Sequence, residues 1–176
     1  AKEKNAPIFG QFKNEANVTS HEETTAREVL EDVPDVDGFV AGIGTGGTIT
    51  GVGRVLKENN PETVIWSVEP EASPILTKGE AGSHKIQGLG ANFIPEILDQ
   101  SVIDKIETVS NDEAINTAVE LAKSQGILAG FSSGANYAVA LRLAKELGKG
   151  KKVVVVLPDS GERYLSSGFF GDGQAE

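Results

Sequence analysis

Gly42-Ile43-Gly44-Thr45-Gly46-Gly47-Thr48 joins a short apolar segment, Gly38-Phe39-Val40-Ala41, to a segment in which Ile49, Val52, Val55 and Leu56 fall on one helical face. Strand, glycine turn and helix in that order form a phosphate-binding geometry. Glycines let the backbone approach a phosphate closely, and the free N–H groups at the helix start point toward it. Thr45 and Thr48 add hydroxyl donors. The pattern calls for a phosphate-bearing ligand; taken alone it also fits a tight turn that packs a helix on its sheet.

Outward from this turn the chain alternates between strands and helices. The apolar run predicts a strand over Phe39–Ile43, and the helix after the glycines should end near Asn59-Asn60-Pro61. Val64–Val68 reads as a second strand, stopped by Glu69-Pro70. Glu71 to Asp99 is irregular and rich in Gly, Pro and Ser; so long a loop inside a compact domain is usually functional or a lid. Val102–Val109 gives a strand, and Ser110-x-x-Glu113 is a capping box before a helix bearing Ile115, Val119 and Ala122. A short apolar segment, Ile127–Phe131, ends in Ser132-Ser133-Gly134, from which a helix should run to about Leu147 with Gly148 as its C-cap. Val153–Leu157 is a continuous apolar strand of the kind covered on both faces in parallel sheets. Toward the N-terminus, Ile8-Phe9 suits a short strand leading into Gly10-Gln11-Phe12, and Ser20-x-x-Glu23 is a second capping box for a helix reaching Asp32. The fold class is therefore α/β: a doubly wound, mostly parallel sheet with helices on both faces. In such sheets ligands bind beyond the carboxyl ends of the strands, where the glycine loop, Glu69, the Ser132 turn and the Pro158 turn all fall.

Composition narrows the ligand. The chain has 176 residues, 39% hydrophobic and 24% charged, which suits one folded core. A net charge of -10 argues against nucleic acid or an anionic membrane as partner, so a phosphate must be held by backbone and hydroxyls. There is no cysteine, which excludes disulfides and thiolate metal ligands, and the two histidines, His21 and His84, lie far apart. No metal site is marked. No apolar run approaches the roughly 18 residues of a membrane span and no signal peptide is visible, so the cytoplasm is the expected location.

Two readings of the glycine loop compete on local pattern. Gly42-x-Gly44-x-x-Gly47 matches the dinucleotide fingerprint, and Glu69 follows at about the 20-residue spacing of a ribose-binding acid. Alternatively, Gly44 to Thr48 with Thr50 form a cup that surrounds a single terminal phosphate from several sides.

Six segments taken together resemble one family. They are Gly10-Gln11-Phe12-Lys13-Asn14-Glu15-Ala16-Asn17 with His21-Glu22-x-Thr24-Thr25; Val40 to Val52; Val68-Glu69-Pro70; His84-Lys85-Ile86-Gln87-Gly88-Leu89-Gly90 with Phe93-Ile94-Pro95; Gly126 to Ala135; and Val155 to Leu165. In this order and spacing, from about Gln11 to Ser166, the chain resembles cysteine synthase (O-acetylserine sulfhydrylase), a fold-type-II pyridoxal-phosphate enzyme. The resemblance implies that Gly44, Thr45, Gly46, Gly47 and Thr48 hold the phosphate of pyridoxal 5'-phosphate and that Ser132 bonds the pyridine nitrogen. It implies that Gln11 sits near the substrate carboxylate, that Gln87-Gly88 borders the active site, and that Pro158 lies against the ring. Without the family, Ser132 reads as a helix cap, Gln11 as a surface glutamine and Asp159 as part of a turn. A neutral hydroxyl at the ring nitrogen does not enforce its protonation, so the ring is a modest electron sink. That suits loss of acetate from O-acetylserine followed by addition of sulfide, and it disfavours transamination. Glu69 belongs to the family pattern as well, which weakens its support for a dinucleotide.

The family's Schiff-base lysine, followed by Asp-Arg, and its Ser/Thr-Gly-Asn substrate loop precede the region matched here. Neither motif occurs in the chain, and Lys85 does not match the lysine position. The expected organisation is a remnant of a preceding domain over 1–14, a cofactor-phosphate domain over 15–168 and a mobile tail over 169–176: the C-terminal half of such an enzyme, with no catalytic residue of its own. A homodimer and the C-terminal tail of serine acetyltransferase are the partners implied. The alternatives are a cystathionine β-synthase-like enzyme on the same fold and an NAD-binding module.

Overall fold

The structure, a computed structural model, describes residues 7–168. Four parallel strands form one sheet: β1 (Gly38–Gly42), β2 (Val64–Pro70), β3 (Lys105–Val109) and β4 (Val153–Val155), in the order β3-β2-β1-β4. β1 pairs with β2 from Gly38 opposite Val64 to Gly42 opposite Val68, and with β4 from Gly38 opposite Val153 to Val40 opposite Val155. The helices are α1 (Ala16–Glu23), α2 (Thr25–Asp32), α3 (Gly47–Asn59), α4 (Ile75–Lys78), α5 (Asn111–Gln125) and α6 (Phe131–Leu147), with two 3₁₀ segments at Gln100–Val102 and Gly161–Ser167. None of the described helices is long and apolar enough to cross a membrane.

The two-residue period of the strands divides the core. Phe39, Ala41 and Ile65 point to one face and pack with Ile49, Val52 and Leu56 of α3 and Ala26 of α2. Val40, Trp66 and Val68 point to the other and pack with Ala135, Val139 and Leu143 of α6 and Ala114 of α5. Burial of each large apolar side chain contributes roughly 1.5–3 kcal/mol. Strands β1, β2 and β3 step in one direction across the sheet, and the chain then returns through α5 and α6 to place β4 on the far side of β1. The order therefore reverses between β1 and β4, a topological switch point, and crevices form at the C-terminal ends of such strands.

Ser110 caps α5 as expected, its hydroxyl accepting from the Glu113 N–H at 3.1 Å, while the Glu113 carboxylate turns to Arg142 instead of closing the box. α6 runs to Leu147 with Gly148 as its C-cap, also as expected. Five local expectations are corrected. Ser20 caps nothing; it lies inside α1 and its hydroxyl donates to the Asn17 carbonyl, while the helix starts earlier, where Asn14 Oδ1 accepts from the Ala16 N–H. The helical stretch breaks at Thr24, whose backbone (φ -116°, ψ -81°) separates α1 from α2. Ile8-Phe9 is not a strand: both side chains are exposed, and Gly10, with φ +62°, starts a turn in which Lys13 and Asn14 donate to its carbonyl. β3 begins only at Lys105, because Ile103 closes a turn on Gln100 and the Asp104 carboxylate takes the Ile65 N–H at 2.7 Å. The valine run does form a strand with both faces packed, but β4 covers Val153–Val155 only and is half-buried because it is an edge; among the described residues no strand pairs with its outer side.

Glu69, at the end of β2, is 2% exposed and both its oxygens are used inside the fold. They accept from the Leu76 N–H at 2.9 Å, the Thr77 N–H at 3.0 Å and the Thr77 hydroxyl, so the carboxylate caps the single turn of α4. The acid that a dinucleotide reading requires for a ribose is thus committed to a loop. Leaving a shielded N–H without its acceptor costs about 1–3 kcal/mol per group. Glu69→Ala should therefore lower stability by at least about 2 kcal/mol, read as a lower urea midpoint with unchanged slope, and Glu69→Gln should fall between it and the parent.

Candidate functional site

The glycine loop leaves β1 and turns into α3 through Gly46, the N-cap, at φ +86°, a conformation that excludes ordinary side chains. The first N–H groups of a helix have no partner within it and carry its positive dipole end, so this turn presents donors and partial positive charge. Gly44 admits a close neighbour: a Cβ there would lie 2.3 Å from the Gly88 carbonyl oxygen. The Thr45 hydroxyl accepts from the Gly47 N–H at 3.2 Å and from Asn17 Nδ2 at 3.0 Å, which leaves its own hydrogen free to donate. Asn17 Nδ2 also donates to the Gln11 carbonyl at 3.0 Å, so one amide ties the Gln11 turn to the glycine loop. The Thr48 hydroxyl lies 3.2 Å from His21 Nε2, and His21 Nδ1 lies 2.9 Å from the Thr25 hydroxyl. Burial pushes the His21 imidazole below its ordinary range, which favours the uncharged ring.

The opposite wall comes from the start of α6 and the turn after β4. Ser132 is 3% exposed in the first turn of α6. One turn later Asn136 Nδ2 donates to the Val156 carbonyl at 2.8 Å, the Gly130 N–H donates to the Asp159 carbonyl at 3.0 Å, and the Ser133 hydroxyl donates to that same carbonyl at 3.3 Å. These bonds fix Pro158 beside Ser132. Asp159 belongs to the turn rather than to the crevice: its Oδ2 accepts from the Tyr164 hydroxyl at 2.9 Å. Burial and this carboxylate push the Tyr164 phenol up to about 12, so the phenol keeps its proton and donates.

Two cavities meet between these walls. One, of about 220 Å³, is lined by Gly42, Gly44, Thr45, Gly46, Thr48, Gly88, Leu89, Ser132 and Pro158. The other, of about 240 Å³, is lined by Gln11, Phe12, Gly44, Thr45, Gly88, Leu89 and Ala91. Phe12, in its wall, is held by Phe93, the two rings 4.9 Å apart and edge to face. The structure thus gathers Gln11, Gly44, Thr45, Gly46, Thr48, Gly88 and Ser132 at one crevice. Gly47 lies behind it as the first residue of α3, packed on Asn17. No lysine lines either cavity.

The donor set of the first cavity is backbone N–H and neutral hydroxyl, with no carboxylate to repel an anion. Its floor is closed to any side chain at Gly44, so a phosphate fits it; among the described residues no cluster of His, Cys, Asp and Glu could hold a metal ion. Sequence reasoning gave no role to Asn17, His21, Phe93 or Asn136. Their contacts run to residues 20 to 28 positions away or across the domain, and nothing in local periodicity marks them.

Residues 1–159 match the family described as pyridoxal-phosphate-dependent enzyme. Cysteine synthase B of Campylobacter jejuni is 54% identical over 167 residues, covering 94% of this chain and 55% of that protein. A cysteine synthase of Staphylococcus aureus is 54% identical over 159 residues, covering 89% and 51%. Among solved structures, O-ureido-L-serine synthase superposes with a TM-score of 0.93 at 44% identity, covering 100% of this chain and 56% of that one. Cysteine synthase from Entamoeba histolytica gives 0.91 at 38% identity, covering 96% and 51%. The chain therefore spans about half the length of the relatives it matches. On the sequence match and the fold alike, this chain belongs to the pyridoxal-phosphate-dependent enzyme family.

Proposed function

We propose that this chain is the C-terminal, cofactor-phosphate-binding part of a cysteine synthase, which makes L-cysteine and acetate from O-acetyl-L-serine and sulfide. The observation that carries the reading is the pair of abutting cavities: one has a phosphate cup and Ser132, the other Gln11 and the Gly88 loop. Two cysteine synthases at 54% identity support the choice of substrates. The dimeric state, docking of a serine acetyltransferase tail in the second cavity and a cytoplasmic location belong to the same reading. So does the division into a preceding-domain remnant over 1–14 and a cofactor-phosphate domain over 15–168; the expected tail over 169–176 lies outside the described residues.

Each wall has a distinct task. The first-turn N–H groups of α3 and the hydroxyls of Thr45 and Thr48 hold the cofactor phosphate, with Gly44 and Gly46 keeping the loop low enough for close approach. Asn17 donates to the Thr45 hydroxyl oxygen and so leaves the Thr45 hydrogen for the cup, and the His21 Nε2 contact at 3.2 Å fixes the position of the Thr48 hydroxyl. Ser132, which lines the same cavity, would offer a neutral hydroxyl to the pyridine nitrogen. Bound pyridoxal phosphate supplies an electron-withdrawing ring, and a neutral partner at its nitrogen suits exchange of a β-substituent more than transamination. Gln11 offers amide donors to the substrate carboxylate, and the Gly88 loop closes the space in which acetate leaves and sulfide adds.

Without a lysine in either cavity, the 176-residue chain alone should form no cysteine from O-acetylserine and sulfide above the free-cofactor rate; turnover in a sample free of any other fragment would overturn the assignment of the cofactor-bearing lysine elsewhere. The same chain should still bind pyridoxal phosphate or inorganic phosphate saturably at millimolar concentration, since the cup is local, and a titration without saturation counts against it. Asn17→Asp removes both donor hydrogens and, at about 1 kcal/mol per hydrogen bond, should weaken pyridoxal-phosphate binding about five- to thirtyfold by fluorescence titration. For the whole reading, intact mass of the source-derived protein after borohydride fixation of pyridoxal phosphate is decisive. A species about twice as long with one adduct supports the enzyme, and an 18.5 kDa species without one opposes it.

A further inference from the structure

Residues 79–99 contain no helix or strand, yet Ile86 and Leu89 within them are buried in the core cluster of β1, β2 and α6. The segment is held on the C-terminal rim of the sheet through Gly90. Its N–H donates to the Ile43 carbonyl at 3.0 Å, immediately before the glycine loop, and its carbonyl accepts from His84 Nε2 at 3.1 Å. The Lys85 N–H, bonded to Asn111 Oδ1 at 2.8 Å, anchors the other side. The His84–Gly90 bond thus closes a short ring of chain that carries Gly88 to the crevice, with the Gly88 carbonyl against Gly44.

The partners fix the ring's tautomer. A carbonyl only accepts, so the hydrogen lies on His84 Nε2. Nδ1 is buried with no hydrogen-bond partner, a place that suits a bare nitrogen and disfavours an N–H. With Nε2 engaged and Nδ1 enclosed, the ring reaches neither cavity, and His84 lines neither.

We propose that His84, protonated on Nε2, is a positioning residue: through Gly90 it holds the Gly88 loop on the glycine loop, so that the phosphate cup and the substrate cavity share a wall. The inference rests on the reading of that crevice as a pyridoxal-phosphate site. Glutamine can bring an N–H to the place of the imidazole Nε2, whereas asparagine reaches only as far as Nδ1 and alanine brings none. In the 176-residue chain, His84→Ala and His84→Asn should speed amide exchange at Gly90 by about tenfold or more, while His84→Gln stays within about threefold of the parent. The dissociation constant for pyridoxal phosphate should rise in the first two and be restored in the third. Nitrogen shifts of the imidazole in the unmodified chain should report the Nε2-protonated ring, a measurement that does not depend on any variant folding. An Nδ1-protonated ring, unchanged Gly90 exchange in His84→Ala, or His84→Gln no better than alanine would each overturn the role. Failure of the parent chain to bind pyridoxal phosphate, with the ring tautomer and Gly90 exchange as expected, would instead fault the cofactor reading and leave the His84 clasp standing.

Discussion

Every distance at the crevice is set by the pairing of β1 with β2 on one side and β4 on the other. That pairing leaves β1 hydrogen-bonded along both edges and its Phe39, Val40 and Ala41 buried on both faces. The strand cannot slide without turning its side chains into the wrong layer. The glycine loop starts where this pairing ends, the Pro158 turn follows the neighbouring strand, and Gly90 bonds to Ile43 at the same level. A loop, a helix start and an irregular segment are thereby referred to one rigid strand.

Much of this was legible in the chain itself. Gly42 to Thr48 between an apolar run and a helical face identified the central strand and the glycine turn after it, and Ser110-x-x-Glu113 marked a helix start that the structure keeps. Ser20-x-x-Glu23 has the same pattern but sits inside a helix, because Asn14 caps two turns earlier and the Ser20 hydroxyl finds a carbonyl instead. A capping motif states only that a side chain can cap; which oxygen wins is a matter of competition among neighbours. The valine run revealed two covered faces but not the open lateral edge of β4, since lateral pairing depends on which strands are present. The site residues came from six motifs in register. Asn17, His21 and Asn136, whose work is to hold other groups, emerge only from their tertiary partners.

The electrostatics of the crevice differ from those of the molecule. A chain with net charge -10 would repel a phosphate at a distance, yet the cup carries no ionised group among its lining residues. Neutral donors at a helix start act at short range and lose little to the surrounding carboxylates, many of which are occupied elsewhere. Asp35 and Asp37 pair with Lys152 and Lys151, Asp99 and Glu22 pair with Arg54, and Glu107 and Glu113 pair with Arg142. Under the proposed reading, selectivity for an anion would depend on backbone direction and hydroxyl orientation, not on counting charges.

The two cavities have Gly44, Thr45, Gly88 and Leu89 in common. Under the proposed reading, a group on one side of this partition touches backbone that also faces the other side, so coupling between the two runs through Gly44, Thr45 and Gly88. Linkage would make such coupling mutual: whatever factor one ligand conferred on the other would be returned to it in equal measure.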